Sequence, residues 1–147
     1  YKNITLPTLE KFANSGVIFS PKEFKVAQEA VNKLDIKTTG LKQITKYLSG
    51  GNQQKVAISK WLQTEPKVLI MDEPTQGIDI KAKAEIYHIV RQLAETGVCV
   101  IFISSEVSEV VNISDRILVL SEGKVKKEFT QGVSQEIVMR TILQESV

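Results

Sequence analysis

Two short runs carry the side chains best placed to do chemistry. The first is Leu48-Ser49-Gly50-Gly51-Asn52-Gln53-Gln54-Lys55, which ends a loop and opens a helix. Gly50 and Gly51 have no side chain, so an anion can approach the backbone closely. Ser49 adds a hydroxyl donor, and the helix start behind it offers unpaired N–H groups and the positive end of a dipole. The second run, Asp72-Glu73, closes an apolar strand with two adjacent carboxylates, which suits a Mg²⁺-nucleotide site. Taken alone, Ser-Gly-Gly is a common helix cap and Asp-Glu-Pro an ordinary strand terminator. The flanking residues change that reading: Leu48 and Asn52 to Lys55 around the glycines, and Val68 to Met71 and Gly77-Ile78-Asp79 around the carboxylates.

The elements that must position these runs are of two textures. Residues 1–47 read as helices and loops with no buried-strand pattern. Ser20-Pro21-x-Glu23 has the form of a capping box with proline in the first turn, and Phe24, Ala27, Val31 and Leu34 follow at helical spacing until Asp35 to Gly40 breaks the pattern. From Asn52 a helix is predicted to about Gln63, with Ile58, Trp61 and Leu62 inward. After Pro66 the period changes. Val68 to Met71 and Val98 to Ile103 are continuous apolar runs, as expected for strands covered on both faces of a parallel sheet. Between them Ala82, Ile86, Ile89, Val90 and Leu93 mark a helix that stops before Gly97, a left-handed cap. That strand, helix, strand order suits a right-handed crossover. Glu106 to Ile113 reads as a short helix and Arg116 to Leu120 as a strand. Glu122-Gly123 then turns the chain into a hairpin partner bearing Val125, Lys127 and Phe129, and Ser134 caps a last helix with Ile137, Val138 and Ile142. The class is α/β.

Composition sets the outer limits. The chain has 147 residues, 42% hydrophobic and 24% charged, about one domain's worth of globular sequence. A net charge of +2 with interspersed signs gives no nucleic-acid footprint. No apolar run approaches the roughly 20 residues that span a bilayer, and no signal peptide opens the sequence. One cysteine, Cys99, lies in an apolar strand, so there is no disulfide framework and a reducing cytosolic setting is expected.

Together and in this order, the two runs resemble the nucleotide-binding domain of ABC ATPases. The resemblance implies a P-loop NTPase (RecA-like) α/β core with a helical subdomain: residues 1–65 the subdomain ending in the signature helix, residues 66–147 the C-terminal part of the core. In that family the signature faces the phosphate loop of a partner domain. Ser49, Gly50 and Gly51 are thereby expected at the γ-phosphate of ATP held by the partner, with Gln53 or Gln54 near the ribose or the interface. Asp72 is implied in the Mg²⁺ shell, Glu73 as the base for the attacking water, and Asp79 across the dimer interface. The family's Gly-x-x-x-x-Gly-Lys-[Ser/Thr] loop is not found. None of the 8 glycines heads it, and Gly123-Lys124 is followed by Val125. The sequence thus resembles the C-terminal portion of such a domain, and is expected to be inactive as an ATP hydrolase by itself.

One position departs from the pattern. Most members place a histidine just past the next strand, at the γ-phosphate; here Ser105 stands in its place. A serine donates one hydrogen bond and carries no charge. His88, the only histidine, belongs to the preceding helix. An intact signature beside a weakened site resembles the second half of fused importers of ribose, galactose and xylose. The match runs over about residues 20–130, including Asp72 to Asp79, Ser104-Ser105-Glu106 and Ser114 to Gly123. It implies part of the ATP-binding subunit of a sugar importer at the cytoplasmic face of the membrane. The implied partners are a second nucleotide-binding domain, transmembrane permease subunits and, indirectly, a sugar-binding protein. A non-transport ABC ATPase, or a piece with no activity of its own, are the alternatives. The family's strand leading to the phosphate loop would lie between Val98–Ile103 and Arg116–Leu120. Without it, those two strands are expected to close up or to complete the sheet by self-association.

Overall fold

The computed structural model describes residues 1–143. They form two compact units, Tyr1–Leu69 with Thr75–Val100, and Ile70–Pro74 with the residues from Ile101 onward. The boundary expected at residue 65/66 separates helical from strand-rich sequence, whereas contacts group the helix after the carboxylates with the helices before them.

The first unit opens with α1 (Lys2–Thr5), a 3₁₀ stretch (Leu6–Phe12) and a minimal hairpin of β1 (Ala13–Asn14) and β2 (Val17–Ile18). Ser15 and Gly16 turn that hairpin at φ 50° and 82°, the conformation that matches strand twist. Two-residue strands leave no periodicity in the sequence, so the hairpin was not foreseen. Helix α2 (Ser20–Lys33) buries Ala27, Val31 and Leu34 as their spacing predicts. The capping box does not form. Phe19 is the N-cap and makes no side-chain cap bond. Glu23 turns inward instead, is only 4% exposed, and accepts a 2.6 Å bond from Thr5 Oγ1. A buried hydroxyl from α1 outcompetes the helix's own amide.

Helix α3 (Gly50–Leu62) starts two residues earlier than expected, and Trp61 is not inward. It is 52% exposed, with Lys60 Nζ 5.2 Å from its ring centroid. The buried stripe runs through Gly51, Lys55, Ile58 and Ser59, a correct helical repeat that contains a charge and a hydroxyl. Following apolar residues alone picked the wrong face. Lys55 is the reason a cation can sit there: Nζ lies 2.8 Å from Glu85 Oε2 and donates to the Asp35 carbonyl at 3.1 Å. Glu85 belongs to α4 (Ile80–Glu95), which buries Ile86, Ile89, Val90 and Leu93 and ends before Gly97, at φ 89°.

β3 (Val68–Asp72) and β4 (Cys99–Ile103) form one two-stranded sheet. Cys99 N–H donates to Lys67 O, and Glu73 N–H to Ile103 O, both at 2.9 Å. Residue numbers rise together along both strands, so the pair is parallel and α4 is its crossover. The continuous apolar runs do not mean burial on both faces. Leu69 and Met71 are buried, while Val68, Ile70, Ile101 and Ile103 are exposed. Cys99 is exposed as well.

In the second unit, β5 (Arg116–Ser121) pairs antiparallel with β6 (Lys124–Thr130) through Glu122 and Gly123, both at positive φ. Between Val119 and Leu120 the register shifts, a bulge. Helix α5 (Val107–Ile113) precedes β5. Helix α6 (Gln135–Leu143) packs on α5 and β5 through buried Val138, and its start is capped by Ser134 Oγ accepting from Ile137 N–H at 3.4 Å. Of the two outcomes expected for these strands, closing up does not occur: among the described residues β4 pairs only with β3 and β5 only with β6. A two-residue turn makes the β5–β6 pairing local and entropically cheap, and nothing comparable draws β4 onto β5. No helix of the described residues is long and apolar enough to cross a membrane.

Candidate functional site

Ser49 is the N-cap of α3, with extended backbone (φ −61°, ψ 156°) and no side-chain capping bond from a backbone N–H of the helix. Its Oγ accepts from Asn52 Nδ2 at 2.8 Å, and Asn52 Oδ1 accepts the Lys37 N–H at 2.7 Å. The first backbone bond of the helix runs from Gln53 N–H to Ser49 O. The N–H groups of Gly50, Gly51 and Asn52 therefore precede the ladder, the arrangement that suits an anion. Ser49 and Gly50 are exposed; Gly51 is buried. Gln53, expected near a ribose or an interface, donates from Nε2 to Leu48 O at 2.8 Å, bracing the loop from behind.

The two glycines answer to a second constraint that anion approach did not suggest. A Cβ on Gly51 would lie 2.5 Å from Ala82 Cβ, and one on Gly50 3.1 Å from Ile78 Cγ2. The tip of α3 thus fits directly against the turn before α4. Asp79 is the N-cap of α4 and accepts the Ala82 N–H on Oδ1 at 2.9 Å, so a residue singled out for an interface also orders the surface that Gly51 meets. Ser49, Gly50, Gly51, Gln53 and Asp79 all belong to the first unit.

The carboxylates belong to the second unit. Asp72 is exposed at the end of β3. Glu73 follows at φ 45°, a left-handed conformation unfavourable for a side-chain-bearing residue. It is held at both ends: its N–H donates to Ile103 O, and its Oε1 accepts the Ser105 N–H at 2.7 Å. The structure therefore joins Glu73 to Ser105 through the main chain of Ser105, where the sequence directed attention to its hydroxyl. Just behind, Ser104 Oγ donates to Glu109 Oε2 at 2.8 Å and accepts the Glu106 N–H at 3.0 Å. Neither Ser104 nor Glu109 was singled out from sequence. The available signal was a serine two residues before the helix N-cap and an acidic residue in its first turn.

Among the described residues no group of three or more His, Cys, Asp or Glu could hold a metal ion. His88 is exposed on α4 and belongs to neither cluster.

A family model described as ABC transporter matches residues 3–76. The chain is 49% identical over 139 residues to the xylose import ATP-binding protein XylG of Thermoanaerobacter pseudethanolicus, covering 94% of this chain and 28% of that protein. It is 47% identical over 141 residues to the ribose import ATP-binding protein RbsA of Geobacillus kaustophilus, covering 95% and 28% respectively. The chain thus spans little more than a quarter of these relatives' length. Its fold is similar to the dimeric ATP-binding cassette MJ0796 in a post-hydrolysis state bound to ADP and Pi, with TM-score 0.73, 27% identity, and coverage of 88% of this chain and 55% of that one. Matched over half its length by the family model, and built like part of a solved cassette, this chain belongs to the ABC transporter family.

Proposed function

We propose that this chain is the C-terminal part of the second nucleotide-binding domain in the ATP-binding subunit of a sugar importer, where it helps couple ATP hydrolysis to carbohydrate uptake. The observation that carries the reading is the tip of α3: an exposed Ser49 and Gly50 ahead of three N–H groups outside the helix ladder. The relatives named for xylose and ribose import support the transport side of it.

In this reading residues 1–65 are the helical subdomain and 66–147 the core segment. Ser49 and the N–H groups of Gly50 and Gly51 meet the γ-phosphate of ATP cradled by a partner domain, and the helix dipole adds to the attraction. Gln53 supports that loop through the Leu48 carbonyl. Asp72 would hold a Mg²⁺ ion through its carboxylate, and the cation would offset the phosphate charge. Glu73 takes the proton of the attacking water. Asp79 lines the interface between domains, Ser105 lies at the γ-phosphate end of the carboxylate site, and permease subunits anchor the assembly at the cytoplasmic face of the membrane. The glycine-rich cradle for the chain's own carboxylates lies outside this sequence.

The test uses the full-length importer protein carrying this chain, assembled with its permease, and reads ATPase rate. Ser49→Arg places a bulky cation where the partner's nucleotide must dock and is expected to abolish turnover. Glu73→Gln strikes the site that has serine in place of histidine, and is expected to cost less. Full activity in Ser49→Arg would refute the role of the α3 tip. Equal losses in both would refute the asymmetry between the two sites.

A further inference from the structure

We infer that Glu109 is a positioning residue for Glu73, acting through Ser104 and the main chain of Ser105. The role rests on the proposed function only in what Glu73 does; the geometry stands by itself.

Glu73 is in a left-handed conformation, at φ 45°, so its direction needs an external hold. The hold on its carboxylate is the Ser105 N–H, 2.7 Å from Oε1. An N–H points where its peptide plane points, and that plane is set by the residues on either side. Both are pinned. Ser104 Oγ donates to Glu109 Oε2 at 2.8 Å, and the following amide, Glu106 N–H, donates to the same Oγ at 3.0 Å. Glu109 is itself fixed, with only 3% of its surface exposed and its N–H bonded to the Glu106 carbonyl at 3.0 Å. The loop from Ser104 to Glu106 is thereby tied to the first turn of α5 at both ends, with one free direction left for the Ser105 amide. That direction ends on Glu73.

The chemistry explains the choice of residue types. Ser104 must be both donor and acceptor, which a hydroxyl is. Glu109 must accept, and its buried carboxyl presents an oxygen to the Ser104 hydroxyl at 2.8 Å. A loop held this way keeps a main-chain donor on the strand-end carboxylate whatever side chain stands at position 105. The Ser105 hydroxyl is free of that duty, since the backbone performs it.

The experiment has a structural and a kinetic arm. In the present chain, amide exchange at Ser105 is followed by NMR, with Gln131, whose N–H donates to Asp115 O in the same unit, as the control. Glu73→Ala is expected to speed Ser105 exchange about tenfold, the protection of one bond to a charged acceptor. Glu109→Ala and Ser104→Ala are expected to do the same with Gln131 unchanged, while Glu109→Gln, which still accepts from Ser104, stays near the parent rate. In the full-length protein, Glu109→Ala is expected to lower kcat no more than Glu73→Gln does, to leave the KM for ATP within about twofold, and to add nothing in a Glu73→Gln background. Unchanged Ser105 exchange in Glu109→Ala, or losses that add in the double variant, would overturn the inference. If Ser105 exchange responds as expected but Glu73→Gln leaves kcat intact, the positioning network stands and the catalytic role proposed for Glu73 falls.

Discussion

Gly51→Ala is expected to destabilise the helical unit by about 2 kcal/mol, although alanine is the better helix former. The new methyl would lie 2.5 Å from Ala82 Cβ, against the roughly 3.5 Å at the near edge of the optimal carbon–carbon separation. The obstacle is a Cβ fixed to the α4 backbone, so no rotamer change relieves it and the helices must part by about 1 Å. A gap of that size forfeits a quarter to a half of each contact's attraction along the seam, and it lengthens the 2.8 Å Lys55–Glu85 pair. Overpacking at the upper end of its range, about 3 kcal/mol, less about 1 kcal/mol of helix propensity, leaves the stated net. Gly50→Ala is the internal control. Its nearest neighbour is the rotatable Ile78 Cγ2 at 3.1 Å, and the change is expected to stay within about 0.5 kcal/mol. Urea unfolding followed by Trp61 fluorescence reads both, because Trp61 is the only tryptophan and lies on α3. With an m-value near 2 kcal/mol/M, Gly51→Ala should lower the midpoint by about 1 M. A midpoint equal to the parent's, or an equal loss in Gly50→Ala, would refute close helix approach as the reason for Gly51.

Thr5→Val removes the hydroxyl that serves buried Glu23 at 2.6 Å and is expected to cost about 1–3 kcal/mol in urea unfolding, with Glu23→Gln in the same background recovering part of it. Asp79→Ala should cost about 1 kcal/mol through the lost α4 cap, while Asp79→Asn stays near the parent; thermal melts by circular dichroism separate the two. On the β5–β6 hairpin, the hydrogen bond from Arg116 and then its charge hold the Glu128 carboxyl below its ordinary value. The folded state therefore releases that proton more readily than the unfolded one, so the stabilisation is present above the ordinary glutamate range and fades as pH falls through the lowered value. Glu128→Gln is expected to flatten that acidic limb in hairpin amide exchange, by a small amount because both partners are exposed.

The sequence was most readable where a residue's local chemistry also decides its tertiary role. The glycine pair, the strand-end carboxylates, the Gly97 stop and the Glu122-Gly123 turn act within a few residues of chain, and each lies where its type suggested. Reading failed where a partner far along the chain overrode the local pattern. Glu23 fits a capping box until Thr5 offers a buried hydroxyl. Trp61 belongs inward on hydrophobicity, but the stripe through Lys55 and Ser59 is the one that faces α4 and α2, and only Glu85 and the Asp35 carbonyl make that possible. The continuous runs at β3 and β4 promised two covered faces, yet coverage depends on neighbours that no strand encodes, and Val68, Ile70, Ile101 and Ile103 remain exposed. In the candidate site, residue type pointed to Glu73 and the family resemblance to Ser105, but a contact made by a backbone N–H is invisible to any reading of side chains.

The Lys55–Glu85 pair constrains how this part of the molecule can change over generations. With its side chain 4% exposed, against 44% for Glu85, the Lys55 ammonium relies on Glu85 for countercharge; losing the acid alone strands a buried charge, whereas losing the lysine alone leaves a carboxylate that water can reach. An apolar residue could replace the lysine at little cost, but the order of change matters, because only the intermediate that keeps Lys55 without Glu85 holds a stranded buried charge. Position 85 is therefore expected to lose its acid only after position 55 has lost its lysine. Homologues that keep a lysine at the first while losing the acid at the second should have acquired a new carboxylate near Asp35, the other end of the same tether.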